Sequence, residues 1–206
     1  MADGGAGTAG AEPRWRRLEP DERREQILAC AVELFGERPY AAVSTTELAR
    51  RAGVARGLIN HYFGTKRDLY LEVVRRMVTI PQVAVDRLPD GPLEERVAQS
   101  VRWFLDGVSR HSRTWLAAIG AEGVDREVAV ILAEADELAA DRVLQATGLA
   151  HREELRALVR AYGGLVKATA REWLVRETLT RDQVQHLLSA ALLSIVRDVA
   201  PKVQQS

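Results

Sequence analysis

Four residues within a six-residue span, Arg56, Gly57, Asn60 and His61, could together bind the edges of nucleic-acid bases. At about 100° per residue, and with Ile59 directed inward, they form one contiguous outer face of a helix. An arginine can donate to guanine O6 and N7 or to phosphate, and an asparagine can pair with adenine N6 and N7. A glycine leaves room for the backbone to approach its partner. The pattern indicates a recognition helix that enters the major groove of a duplex.

Two short helices joined by a tight turn must hold this face in place. Ser44 has the character and position of a helix N-cap, and Gly53 ends the first helix within two turns. The second helix covers residues 55–63, and Thr65 caps a longer helix behind it. These features form a helix-turn-helix pattern over residues 44–63.

The charge of the chain is distributed unevenly. Lys and Arg number 29 and Asp and Glu number 29, so the formal net charge is zero and the protein does not coat nucleic acid along its whole surface. Residues 44–67 carry a net charge of +4, whereas residues 80–206 carry −2. The helix-turn-helix is therefore expected to be a basic head on a slightly acidic body.

The run TTELARRAGVARGLINHYFGTKRDLY resembles the DNA-binding helix-turn-helix of TetR-type bacterial transcriptional regulators, and the preceding REQILACAVELFGERPYAAVS matches the first helix and link of that family. The resemblance covers about residues 23–74. It implies a three-helix DNA-binding head, a helical body that binds a small-molecule effector and forms a homodimer, and loss of operator affinity when an inducer binds.

The resemblance also implies which residues contact DNA. Three positions depart from the common family pattern: Ala55 replaces a capping Ser, Leu58 replaces a base-reading Thr, and Asn60 replaces a phosphate-binding Tyr. The operator sequence cannot be carried over from relatives, and Asn60 could bind adenine or phosphate. The expected DNA contacts are Ser44, Thr45 and Thr46 at the start of the helix that Gly53 ends, Arg56, Gly57, Asn60, His61 and Tyr62 in the recognition helix, and Lys66.

The remaining sequence predicts an all-α fold of about nine helices, because apolar residues recur at helical spacing and no segment alternates with a period of two. We expect a flexible Gly/Ala-rich tail at residues 1–19, a helix-turn-helix domain at 20–66 and a ligand-binding and dimerisation domain at 67–206. Arg14, Arg16 and Arg17 beside Trp15 could form a minor-groove arm or a disordered basic tail.

Two helices near the C-terminus have apolar stripes too broad for a single partner. We expect one side of each to pack on its own body and the other on a twin subunit, in a four-helix interface with two-fold symmetry. Such a dimer would bind a palindromic operator. The expected interface residues are Leu155, Val159, Tyr162, Val166, Val184, Leu188, Ala191 and Ile195.

The body also contains aromatic and titratable side chains that could line an effector pocket, although residues of this kind are more often ordinary core. The ligand they suggest is a small, partly apolar molecule. The pocket candidates are Trp103, Phe104, His111, Trp115 and Trp173.

No catalytic pattern is recognisable in the sequence. The four histidines include no metal-binding pair at i, i+4, and no P-loop, GxSxG or GxGxxG string occurs.

The single cysteine, Cys30, excludes an intrachain disulfide, and no apolar run is long enough to span a bilayer. We expect no enzyme, cofactor, metal or membrane partner, and a cytoplasmic location. The alternatives are an activator with the same DNA-binding head and a helical adaptor that binds protein.

Overall fold

A computed structural model describes residues 19–88, 90–121, 123–150 and 152–204, and every regular element in these ranges is helical. The all-α prediction is confirmed. The expected flexible tail, apart from Glu19, and the arginine-rich segment around Trp15 lie outside the described residues.

Four helices build the N-terminal head. They are α1 (Pro20–Glu37), α2 (Thr45–Arg51), α3 (Arg56–Phe63) and α4 (Lys66–Val78), with a 3₁₀ turn at Tyr40–Ala42 between α1 and α2. Ile27, Leu34, Leu48, Ile59 and Leu69 are buried together where these helices meet. Full burial of such a side chain contributes about 1.5–3 kcal/mol, so this small core fixes the angle between α2 and α3.

Local signals begin and end the head helices where the sequence predicts. The Ser44 hydroxyl accepts a hydrogen bond from the Glu47 amide at 3.1 Å, which caps α2. Thr65 and Asp68 form a reciprocal capping box at the start of α4. Gly53 has a φ of +64°, a conformation that a side chain would strain. The α2–α3 turn is therefore a tight turn that depends on glycine.

The body contains α5 (Gln82–Asp86), α6 (Leu93–Arg110), α7 (Ser112–Gly120), α8 (Arg126–Thr147), α9 (Glu153–Leu174) and α10 (Arg181–Ser194). A π-helical turn at Ile195–Val199 continues α10 into α11 (Ala200–Gln204). Among the described residues, nine helices have seven residues or more, as predicted. The five-residue α5 and α11 were not predicted, because segments this short show no helical periodicity.

Helix α4 joins the head to the body. Leu69 and Val73 pack in the head core, whereas Val74 packs in a body core with residues of α7 and α8. In the rest of the body, α6 packs on α10 and α8 packs on α9. The division between the two units therefore falls within α4, and the boundary expected after Lys66 stays a prediction.

Candidate functional site

Helix α3 has the two faces that its sequence predicts. Ile59 is fully buried, and Phe63 is buried beside it. Arg56, Gly57, Asn60 and His61 are exposed on the opposite side. In addition, α3 begins at Ala55 without a side-chain cap. The hydrogen bond that a Ser at this position would provide is therefore missing. The buried face fixes the helix on the head, and the polar face is free to meet a partner.

Gly57 has no steric role inside the protein. A Cβ atom built at this position has no atom of the chain within 4 Å, and φ lies outside the left-handed region. In a helix, glycine is less favourable than alanine by up to about 1 kcal/mol. Folding therefore gains nothing from glycine here, whereas a partner that lies against the helix backbone would require it.

The other expected DNA contacts surround this face. Ser44 and Thr46 are exposed and Thr45 is half-buried at the N-terminus of α2. Tyr62 is half-buried, and its ring packs edge-to-face with the ring of His61. The two ring centroids are 5.2 Å apart. Lys66 Nζ lies 4.1 Å from the centroid of the Tyr40 ring, which holds this ammonium group beside the start of α4.

The basic residues of the helix-turn-helix divide into paired and unpaired groups. Arg51 is bound to Glu37 at 2.6 Å and to Glu33 at 3.3 Å. Arg50 and Arg56 are exposed and form no ion pair with any described residue. The sequence count of +4 therefore overstates the charge available on this surface, because the pairing crosses from α2 to α1 and is invisible in the local sequence.

Arg67 is paired in a different way, since its partners belong to the body. Its guanidinium donates to Asp125 at 2.6 Å and to Glu127 at 2.8 Å. Asp125 is also the N-cap of α8 and accepts from the amides of Glu127 and Val128. Arg67 in particular holds the pKa of the Asp125 carboxyl below its usual value. This cluster ties the start of α4 to the start of α8.

The body encloses two adjoining cavities. The inner cavity, of about 150 Å³, lies among α4, α6, α7, α8, α9 and α10 and has mostly apolar walls that include Phe104 and Trp115. The outer cavity, of about 240 Å³, lies between α5, α6 and α8 and has Trp103 on its wall. Trp103 is 43% exposed. Three of the five pocket candidates therefore reach a cavity.

The other two pocket candidates lie elsewhere. His111 is at the turn between α6 and α7. Its pKa is lowered, mainly by burial and to a smaller extent by repulsion from Arg110. Trp173 packs in the apolar cores of the body and lines neither cavity. A wider groove of about 640 Å³ is lined by residues of α1, α4 and α8 and contains none of the five. Arg142, one of two arginines that line the outer cavity, gives no signal in the sequence pattern.

The residues expected at a dimer interface are mostly covered by their own chain. Tyr162, Val159, Val166 and Leu188 line the inner cavity. Leu155 and Val184 are buried in apolar clusters, and Ala191 and Ile195 are half-buried. Most of these candidates therefore lie on the side of α9 and α10 that faces the body. Their place in a dimer interface stays a prediction.

The described residues contain neither a metal-binding cluster nor a membrane-spanning helix. No group of three or more His, Cys, Asp or Glu side chains is arranged to hold a metal ion. No helix in these ranges has both the length and the apolar character to cross a bilayer.

Comparison with known proteins identifies relatives of both head and body. The family model for bacterial regulatory proteins of the tetR family matches residues 27–73. The transcriptional activator FasR of Mycolicibacterium smegmatis is 32% identical over 179 residues, covering 81% of this chain and 78% of that protein. The transcriptional regulator EthR of Mycobacterium tuberculosis is 30% identical over 161 residues, covering 67% and 74%.

A solved structure has the same arrangement of helices. The tetR-family transcriptional regulator from Streptomyces coelicolor superposes with a TM-score of 0.72 at 25% identity, covering 91% of this chain and 87% of that one. These relatives are transcriptional regulators and not enzymes. The chain belongs to the TetR family of bacterial regulatory proteins, which are helix-turn-helix transcriptional regulators that bind DNA.

Proposed function

We propose that the protein is a homodimeric repressor that binds a palindromic operator and is released from it by a small-molecule inducer. Arg56, Asn60 and His61 of α3 contact base edges or phosphates in the major groove, and Tyr62 and Lys66 contact phosphates. The N-terminus of α2, with Ser44, Thr45 and Thr46, faces the backbone, where its amides and positive dipole end favour phosphate. A regulator bound to the chromosome acts in the cytoplasm, at the nucleoid.

The observation that carries this proposal is the vacant space above Gly57. Glycine at this position costs helix stability and relieves no contact within the chain. It is flanked on the same face by exposed hydrogen-bonding side chains that no described residue pairs. A groove that accepts the backbone of α3 closely explains both features.

Gly57→Ala tests this reading because its two effects have opposite signs. We expect a free energy of unfolding that is unchanged or higher by up to about 1 kcal/mol. Affinity for operator DNA should fall by about 1–3 kcal/mol per half-site, because the added methyl group overpacks the interface. Denaturant unfolding and fluorescence anisotropy measure the two quantities.

Gly107→Ala is the matched control. Gly107 is also a helical glycine with no atom within 4 Å of a built Cβ, but it lies in α6, away from the head. This variant should gain stability and keep its affinity for DNA. An unchanged affinity in Gly57→Ala would contradict the proposed orientation of α3.

The proposed dimer uses the outward sides of α9 and α10. On α9, four exposed small residues, Ala157, Ala161, Gly164 and Ala168, lie in one row. On α10, Leu187 is 40% exposed and Ala190 lies beside it. Small residues let helices approach closely, and both helices already pack on their own body through the other side. Four such helices, two from each subunit, would bury these rows and set the spacing of the two heads.

Release by an inducer follows from the position of α4. This helix contributes to the head core at one end and to the body core at the other, and it borders the inner cavity through Val78. A ligand that binds more tightly to one position of α4 shifts the spacing of the heads by its differential affinity. The Arg67–Asp125 pair would transmit the same movement to the start of α4, next to the recognition helix.

Two other functions remain as alternatives. The relative FasR is named an activator, and an activator would use the same head. Transcription from a template that carries the operator, with and without the protein, separates repression from activation. A helical adaptor would bind protein through the basic face, and a gel shift with titrated salt excludes it if affinity for duplex DNA falls steeply with salt concentration.

A further inference from the structure

Arg142 of α8 is half-buried, and its guanidinium forms no hydrogen bond or ion pair with a described residue. The Nε and Nη1 atoms of its guanidinium are inaccessible to solvent and form no hydrogen bond. Burial lowers its pKa from the ordinary value, and Asp86 only partly opposes this effect, without forming an ion pair. A guanidinium stays charged at any physiological pH, so this arrangement is unfavourable in the empty protein. Arg156 and Arg160, by contrast, are both bound to Glu137.

The unpaired guanidinium lies on the wall of the outer cavity, beside Leu88, Gln99 and Trp103. Ile80, Ser100, Phe104 and Val143 line both this cavity and the inner one, so only their side chains separate the two. The volumes of about 150 and 240 Å³ together fall within the range of small-molecule pockets, about 300–1,000 Å³. One elongated ligand could therefore occupy both cavities.

The inner cavity has no comparable unpaired group among the polar side chains that line it. Lys167 Nζ donates to Asp136 at 2.8 Å, and the Tyr162 hydroxyl donates to the Leu188 carbonyl at 3.1 Å. The rest of its wall is mainly apolar. A cavity of this size holds a group about as large as benzene. The inner end is thus suited to the apolar part of a ligand, and the charged end of that ligand belongs in the outer cavity.

We propose that the two cavities form one site for an apolar molecule with a single carboxylate, whose oxygens accept hydrogen bonds from the Arg142 guanidinium. Arg142 and Arg87 line the outer cavity and Asp86 acts electrostatically on Arg142, so the net charge of these three groups, +1, matches a monoanion. A body of about eight carbon atoms fits the combined volume. This is the effector site that the proposed function requires, and the assignment rests on that function.

Titration of the ligand-free protein in the absence of DNA tests the site. Octanoate and 1-octanol have the same chain length and differ in charge. The wild-type chain should bind octanoate about tenfold to hundredfold more tightly, because a charge-assisted hydrogen bond forms only with the carboxylate. Arg142→Met should bind the two equally, Arg142→Lys should keep part of the preference, and Arg102→Met, at an exposed arginine of α6, should keep all of it.

Thermal unfolding provides a second readout. Arg142→Met removes a half-buried charge that has no partner and keeps most of the side-chain volume, so its Tm without ligand should be equal to or above that of the wild type. An arginine with a purely structural role would lower the Tm when it is replaced. A lower Tm for Arg142→Met therefore contradicts the assignment.

Three binding outcomes would overturn the assignment. In the first, the wild-type chain shows no preference for octanoate, or binds neither compound. In the second, the Arg142→Met chain keeps the preference. In the third, the wild-type chain binds octyl phosphate more tightly than octanoate, which would indicate that the site accepts a phosphate group instead. Release of operator DNA is measured separately by anisotropy. Binding of octanoate without release would leave this site standing and contradict only the proposed inducer response.

Discussion

The arginines of the helix-turn-helix serve two purposes that their sequence positions do not distinguish. Arg51 is fixed by Glu37 and Glu33 of α1, so it stabilises the packing of α2. Arg50 and Arg56 remain available to an external anion. A protein that binds a polyanion needs exposed cations without internal partners, since each phosphate it neutralises releases counterions. The DNA-binding charge is therefore carried by fewer residues than the sequence contains.

Arg56→Ala and Arg51→Ala should separate these purposes. We expect Arg56→Ala to weaken operator binding by about 1–3 kcal/mol per half-site, with relaxed specificity if the contact is to guanine or a shallower salt dependence if it is to phosphate. Arg51→Ala should lower the free energy of unfolding only slightly, as expected for an exposed pair, and keep its DNA affinity. Anisotropy at several salt concentrations measures both. Equal losses of affinity would contradict the division.

At the scale of elements, α4 connects head and body through its N-terminal turn as well as through its buried apolar residues. Arg67, in that turn, binds the N-cap of α8, and Tyr70, one turn later, is packed against both the head and the body cores. Arg75 adds a second link to α8 through Glu134 at 3.4 Å. Movement of α8 around a ligand would therefore act on α4 at several points along its length.

A double-mutant cycle measures the Arg67–Asp125 link. With Arg67→Ala, Asp125→Ala and the double variant, the free energy of unfolding at fixed protein concentration should give a coupling of about 0.5–1 kcal/mol. The folded-state pKa of Asp125 is lowered, so the coupling should be complete above its ordinary pKa of about 4 and decline as the pH falls below it.

The control is the pair Arg176–Glu172, which joins the last turn of α9 to a residue just beyond the end of that helix. Its substitution should not alter how strongly an inducer lowers DNA affinity, whereas Arg67→Ala should reduce that effect severalfold. Absence of coupling between Arg67 and Asp125 would remove this link from the account.

The helices could be predicted from sequence because the signals that define them are local. Ser44, Thr65 and Thr180 cap helices through residues three positions away, and Gly148 ends α8 in the left-handed conformation that its type suggests. Two features could not be predicted. Helix α5 is too short to show periodicity, and the unpaired state of Arg142 depends on chain segments distant in sequence.

At the scale of the whole molecule, the apolar stripes of α9 and α10 show the limit of periodicity. The spacing correctly indicates helices with a buried side, but burial by the same chain and by a twin subunit produce the same pattern. Leu155 and Val184 are already covered within one chain. The surface left for a partner is the row of small residues around Ala161, which carries no strong hydrophobic signal.

The central claim is that two such chains present two α3 helices to one palindrome. The two-fold axis of the dimer then requires half-sites with inverted sequences about one helical turn of DNA apart. Ala161→Arg places a charge in the proposed interface and should leave each head intact on a monomer. Ala133→Arg, at an exposed position on α8, is the control and should remain dimeric.

Selection of bound duplexes from a random DNA pool tests this claim most directly. We expect the wild-type chain and Ala133→Arg to enrich an inverted repeat with half-sites about 10 base pairs apart, centre to centre, or a multiple of that spacing. Ala161→Arg should enrich at most a single half-site, with much weaker binding. Enrichment of no sequence, or of one unpaired half-site by the wild-type chain, would contradict the account.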